Sequence, residues 1–152
     1  FIYKIKLIIY MGIKVLFIYP NSFGMNMLPP AIALFSAILK NEGHKMFYAK
    51  NAEMAFSSCN EHDFDLILLD IMMPDMNGFE VCKILKQKEN IKNIPIVFLS
   101  GKDATSDIEL AYESGGVDYI VKPFVTIELI TKANNYVRLK QLEDMFNNSC
   151  EE

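Results

Sequence analysis

No aspartate or glutamate precedes Glu42, so the opening of the chain has no carboxylate to offer a metal ion. Cysteine is scarce and odd in number. Cys59, Cys82 and Cys150 stand far apart with no CxxC pair, which argues against a disulfide framework and a zinc site and suits a reducing cytoplasm. His44 and His62 have no partner at metal-ligand spacing and read as surface residues rather than ligands. Lys and Arg are scattered under a net charge of −4, and without a basic stripe no direct nucleic-acid binding is expected. No membrane span is expected either. Residues 1–10 are apolar but short, contain Lys4 and Lys6, and lack a small-residue cleavage site, so they do not read as a signal peptide. They read as an N-terminal extension or as an extra edge strand ahead of Met11, and the sequence leaves both open.

What is present is globular. The 152 residues are 51% hydrophobic with mixed charge, enough for one domain with a real core. The organising stretch is Leu66-Ile67-Leu68-Leu69-Asp70. Its short unbroken apolar run reads as a strand buried on both faces of a parallel sheet, and Pro74 and Gly78 bracket a tight turn beyond it. Further strands are expected over 14–19, 45–50, 94–100 and 118–121. Helices are expected between them. The first covers 31–41, entered through Pro29-Pro30 and ended by Gly43. The second runs to about Asn60 under an Asn51 cap, and the third opens at Asn77 or Gly78 and runs to about Lys88. The fourth covers 104–114, with Asp103 as cap and Gly115-Gly116 as stop. The fifth is long, capped by Thr126 and running from Ile127 to about Phe146. Strands alternating with helices imply right-handed βαβ units and an α/β fold. The inferred architecture is a five-stranded doubly wound parallel sheet of order 2-1-3-4-5, a flavodoxin-like three-layer sandwich. The domain is placed at 11–146, with a tail at 147–152.

Three strands end in polar groups: Asp70, Ser100 and Lys122. In a parallel sheet those ends share one edge, so a carboxylate, a hydroxyl and an ammonium converge. A carboxylate can be a nucleophile toward phosphorus, an ammonium can neutralise a transferred phosphoryl group, and a hydroxyl can donate to its oxygens. Taken singly, Asp70 reads as a turn cap, Ser100 as a strand-end hydroxyl and Lys122 as a surface lysine. Their occurrence together, in this order, argues for a site.

The strings Leu68-Leu69-Asp70-Ile71-Met72-Met73-Pro74-Asp75-Met76-Asn77-Gly78, Phe98-Leu99-Ser100-Gly101 and Asp118-Tyr119-Ile120-Val121-Lys122-Pro123-Phe124 resemble the receiver domain of two-component response regulators, over about residues 45–146. The resemblance implies that Asp70 is a phosphoacceptor charged by a partner histidine kinase. It makes Ser100 the switch hydroxyl, Tyr119 the switch aromatic and Lys122 the phosphoryl contact, with a cis Lys122–Pro123 bond. It also implies magnesium, held by Asp70 and the carbonyl of Met72. The output would pass through protein contacts, to an effector or an output domain, in the cytoplasm and without an enzyme activity of its own. Phosphorylation brings roughly −1.5 to −2 charge and three acceptor oxygens. Ser100 would be drawn toward them and Tyr119 would turn inward, a shift between two populated states.

One departure stands out. Receivers carry an acid pair just after the first strand, where this chain reads Ile18-Tyr19-Pro20-Asn21-Ser22. Asp70, a carbonyl and water hold magnesium poorly, so a pseudo-receiver acting only as a binding surface is the alternative. The opening, Val15-Leu16-Phe17-Ile18-Tyr19-Pro20-Asn21 with Pro29-Pro30-Ala31 and Asn41-Glu42-Gly43-His44, resembles the start of cobalamin-binding domains on radical SAM enzymes, over residues 13–50. That makes a cofactor-binding module a further alternative, using the loop 21–30, although the Asp-x-His-x-x-Gly motif is missing. In the last helix, Leu139, Leu142, Met145 and Phe146 suit a homodimer seam or a linker to an output domain.

Overall fold

Alternation of side chains along a strand sends neighbouring residues to opposite faces, and the five strands here use that rule to build two cores. The computed structural model describes residues 12–20, 29–101 and 105–150. The elements are β1 (Lys14–Ile18), α1 (Pro30–Asn41), β2 (Lys45–Ala49), α2 (Ala52–Glu61), β3 (Leu66–Asp70), α3 (Gly78–Lys86), β4 (Ile96–Ser100), α4 (Thr105–Glu113), β5 (Asp118–Val121) and α5 (Thr126–Ser149). All pairings are parallel, in the order β2-β1-β3-β4-β5, as the sequence pattern implied.

Leu16, Ile18, Ile67, Leu69, Ile96 and Phe98 face one layer and bury against Ala55, Cys59, Val81, Cys82, Leu85 and Ala111. Val15, Phe17, Leu66, Leu68, Val97, Leu99 and Ile120 face the other and bury against Ile32, Phe35, Leu39, Leu129, Ala133 and Val137 of α1 and α5. Every residue of β3 and β4 is buried, which is why these strands read as continuous apolar runs rather than alternating ones. Each buried Leu, Ile or Phe contributes about 1.5–3 kcal/mol.

Local chemistry sets the helix starts. Pro29 precedes α1 and Pro30 opens it without any side-chain cap. The Asn51 side chain accepts the Met54 N–H at 2.9 Å, and the Asp75 carboxylate, from the loop after β3, accepts the Ala52 N–H at 2.9 Å. Asn77 caps α3 by accepting the Phe79 N–H at 2.8 Å. Gly115, at φ +102°, supplies the left-handed residue that leaves α4.

Two expectations are corrected. Thr126 does not cap α5. Val125 holds the cap position without a side-chain bond, and the Thr126 hydroxyl donates instead to the Ala31 carbonyl at 3.3 Å, tying α5 to α1. His44 is not a surface residue. It is 4% exposed, and its Nδ1 accepts the Ile13 N–H at 3.3 Å. The turn from α1 into β2 folds the imidazole under the start of β1. Burial pushes its pKa down, opposed by the charges of Glu42 and Asp65. His62 is half-buried, with its ring centre 4.7 Å from that of Phe47. The fifth helix continues past Phe146 to Ser149. The reading of residues 1–10, the 21–28 part of the loop and the Asp103 cap lie outside the described residues.

Candidate functional site

Because all five strands run the same way, the residues at their carboxyl ends gather on one edge of the sheet. Asp70 and Ser100 are the last residues of β3 and β4, and Lys122 is the first after β5. The Lys122 N–H donates to the Ser100 carbonyl at 2.8 Å, and the Ile71 N–H donates to the Leu99 carbonyl at 3.2 Å. These backbone bonds bring Lys122 into reach of a carboxylate far away in sequence. Its Nζ lies 2.6 Å from Asp70 Oδ2. The other oxygen, Oδ1, accepts the Met72 N–H at 3.1 Å. The peptide bond from Lys122 to Pro123 is cis, as the receiver resemblance implied.

Asp70 is 2% exposed. Burial pushes its pKa up, while the Lys122 ammonium and the N–H groups of Met72 and Ile71 pull the other way without cancelling it. The turn after β3 packs directly on this carboxylate's backbone. A Cβ on Gly78 would strike the Asp70 carbonyl oxygen and come within 2.8 Å of Ile71 Cα, so only glycine fits there. The Gly78 N–H closes the turn on the Ile71 carbonyl at 2.9 Å.

Ser100 is buried beside this pair, one strand over. Tyr119 is not at the carboxylate. It pairs in register with Phe98 and packs half-buried against the α2–α4 core. Its ring lies 5.6 Å from the Lys132 ammonium of α5, which also donates to the Tyr119 carbonyl at 2.8 Å. Lys132 bonds the Asp118 carboxylate at 2.8 Å, and the Tyr136 hydroxyl donates to the same oxygen at 3.0 Å. Sequence reasoning missed this latch, and it missed Tyr19. Tyr19 follows β1 on the same sheet edge as Asp70, and the Lys122 ammonium lies 5.0 Å from its ring centre. Its position after the strand, level with the ends of β3 and β4, was the available signal.

The site therefore offers a positioned carboxylate, an ammonium beside it and a nearby hydroxyl, groups able to act as nucleophile, neutralising charge and hydrogen-bond donor toward a phosphoryl group. Against magnesium the donor set falls short. Among the described residues no three His, Cys, Asp or Glu side chains cluster to hold a metal. Residues 19–28 contain no Asp or Glu at all, and the Asp75 carboxylate is engaged by the Ala52 N–H. Magnesium prefers an octahedron of hard oxygens with one or two carboxylates, and among the described residues Asp70 is the carboxylate buried at this edge and is already paired with Lys122.

The response regulator receiver domain family matches this chain over residues 29–134. The match begins ahead of α1, so the Pro29-Pro30 helix that contributed to the cobalamin-domain resemblance reads here as receiver. The DNA-binding response regulator MtrA of Mycolicibacterium smegmatis is 35% identical over 76% of this chain, which spans 49% of that relative's length. A two-component response regulator from Clostridium difficile is similar in structure, with a TM-score of 0.70 and 27% identity, covering 84% of this chain and 97% of its own. So is the receiver domain of a sensor histidine kinase from Pseudomonas aeruginosa, whose structure has magnesium coordinated in its active-site cleft. Its TM-score is 0.68, at 24% identity, with 84% of this chain and 98% of that one covered. Sheet order, the carboxylate at the end of β3 and the family match together lead to one conclusion: this chain belongs to the response regulator receiver domain family, the receiving module of two-component signal transduction.

Proposed function

We propose that Asp70 accepts a phosphoryl group from a sensor histidine kinase and that the change is passed to a protein partner. The observation that carries this is the buried Asp70 carboxylate, held at 2.6 Å by Lys122 and oriented by the Met72 N–H. An oriented carboxylate beside a cation is the arrangement that attack on phosphorus needs. Lys122 is the phosphoryl contact, Ser100 the switch hydroxyl and Tyr119 the switch aromatic. The added charge at the end of β3 is answered at β5 and α5, where Tyr119 sits. The output goes to a separate effector or to an output domain; the relative MtrA, of which this chain spans about half, is a DNA-binding response regulator. The exposed Leu139, Leu142, Met145 and Phe146 of α5 suit a homodimer seam. The chain acts as a phosphoryl acceptor and not as an enzyme with a substrate of its own. Among the described residues no helix is long and apolar enough to cross a membrane, and a cytoplasmic site of action fits the kinase partner.

The test is incubation with a small-molecule phosphodonor and magnesium, followed by intact mass, with Asp70→Asn as control. A phosphoryl adduct in the wild type alone supports the proposal. No adduct over hours, beside a receiver that labels, refutes it. A second reading, a pseudo-receiver that binds partners without phosphotransfer, is favoured by one observation: no Asp or Glu stands just after β1, where the receiver resemblance implies an acid pair.

A further inference from the structure

Tyr19 is built into the site. Its N–H donates to the Ala49 carbonyl at 2.9 Å, which fixes the backbone at the end of β1. Its ring is half-buried, with centres 5.6 Å from Phe17 and 6.1 Å from Phe124, the latter edge-on. The Lys122 ammonium therefore rests between the Asp70 carboxylate at 2.6 Å and an aromatic face at 5.0 Å. Burial, and after it the charge on Asp70, raises the Tyr19 pKa, so the phenol stays protonated at neutral pH.

An aromatic face attracts a cation through its quadrupole without adding a formal charge. A carboxylate in the same place would compete with Asp70 for Lys122 and leave a negative cluster that needs a metal. Tyrosine does neither. We infer that this site takes up a phosphoryl group without a divalent cation, with Lys122 as its neutralising charge and the Tyr19 ring as the positioning group that holds Lys122 against Asp70. This rests on phosphoryl acceptance at Asp70 as proposed above. With phosphoramidate as donor, an Asp70 oxygen forms the new O–P bond and the P–N bond breaks. Ammonia leaves with the protons its nitrogen already carries. The phosphoryl oxygens keep their negative charge, and Lys122, with 27% of its side chain exposed, has room to follow them.

The experiment is a time course of intact mass on the full chain with phosphoramidate, in magnesium and in EDTA. The variants are Tyr19→Phe, Tyr19→Leu and Tyr19→Asp, each checked for folding by circular dichroism. The wild type is expected to label at the same rate in both buffers. Tyr19→Phe keeps the ring face and labels like the wild type. Tyr19→Leu labels more slowly in both, on the order of fivefold. Tyr19→Asp labels poorly in EDTA and recovers with magnesium, a change that mere loss of packing does not produce. Wild-type labelling that requires magnesium overturns the inference and leaves acceptance at Asp70 standing. No wild-type adduct in either buffer overturns acceptance at Asp70 itself. Equal rates for Tyr19→Leu and wild type remove Tyr19 from its role.

Discussion

Replacing Lys122 by methionine leaves the Asp70 carboxylate buried and unpaired, and the cost can be bounded from both sides. Removing one partner of a buried ion pair costs about 3–5 kcal/mol. Here the carboxylate is 2% exposed but the lysine side chain is 27% exposed, so the lower end, about 3 kcal/mol, applies. The upper bound comes from protonation. An unpaired carboxylate can always escape its penalty by taking a proton, at about 1.4 kcal/mol per pH unit above its ordinary pKa near 4, so the loss cannot exceed about 4 kcal/mol at pH 7 or about 1.5 kcal/mol at pH 5. The sign follows from the direction of the shift. Burial raises the Asp70 pKa, so the native state holds this proton more tightly than the unfolded state. The group's contribution to stability is therefore greatest below the ordinary carboxylate value and is lost as pH rises through the raised one. Lys122→Met should widen that window and steepen the loss. Urea unfolding followed by circular dichroism at pH 7 and pH 5 reads both values. Asp70→Asn alone should raise stability at pH 7, because the raised pKa means that the charged form opposes folding and the neutral amide does not carry that charge. The double variant, Asp70→Asn with Lys122→Met, should abolish the extra pH dependence. A Lys122→Met protein as stable as the wild type at pH 7, with an unchanged pH slope, would refute the dry, paired carboxylate.

Gly78→Ala should lower stability by about 3 kcal/mol, measured by urea denaturation, because its Cβ strikes the backbone of Asp70 and Ile71; a neutral result means the turn after β3 can shift. For His44 the folded pKa is lowered by burial, so the unfolded chain takes up the proton first and stability falls as pH drops through the ordinary histidine value of about 6.5. His44→Leu should flatten that decline, seen as a smaller difference between urea midpoints at pH 7.5 and pH 5.5. Thiol titration of the native protein should find Cys150 reactive and exposed, while Cys59, pushed up to about 11 by burial, and Cys82, also raised by burial, react only after denaturation.

The parts of this fold that were legible in the sequence are those whose chemistry is local or fully periodic. The runs Leu66–Asp70 and Ile96–Ser100 are buried on both faces, so no alternation blurred them. Asn51 caps its helix with its own side chain, which a motif can show, and the helix expected to open at Asn77 or Gly78 starts at Gly78 under an Asn77 cap. Asp70, Ser100 and Lys122 were legible as residues of one edge because a parallel sheet converts strand ends into neighbours. What stayed hidden depends on partners distant in sequence. Thr126 carries the chemistry of a cap, yet its hydroxyl is taken by Ala31 of α1. An isolated histidine has no periodicity, so the burial of His44 under Ile13 had no signal at all. Tyr19 carries an apolar ring and a polar tip, and only the fold reveals that its neighbour is Lys122.

Tyr119 shows what the fold adds to that reading. Lys122 and Lys132 make the same three-part arrangement twice, each pairing a carboxylate and lying over a tyrosine ring. The first joins Asp70 and Tyr19 at the sheet edge, and the second joins Asp118 and Tyr119 at the flank of α5. Lys122 stands at the end of β5, and Lys132, from α5, bonds Asp118 and Tyr119 at its start. In the proposed mechanism a phosphoryl group on Asp70 draws Lys122 outward at the end of β5. Tyr119 can then turn inward only if Lys132 gives up its ring face, while the bonds from Lys132 to the Tyr119 carbonyl and the Asp118 carboxylate resist. Those contacts are worth about 1–3 kcal/mol together, the size of free-energy gap that keeps a minor state at a few per cent rather than abolishing it. Lys132→Met should therefore release Tyr119 without phosphorylation. The check is amide hydrogen exchange, which should speed up at β5 and stay unchanged at β1. Unchanged exchange at β5 would mean that packing against Phe98, and not Lys132, holds the ring.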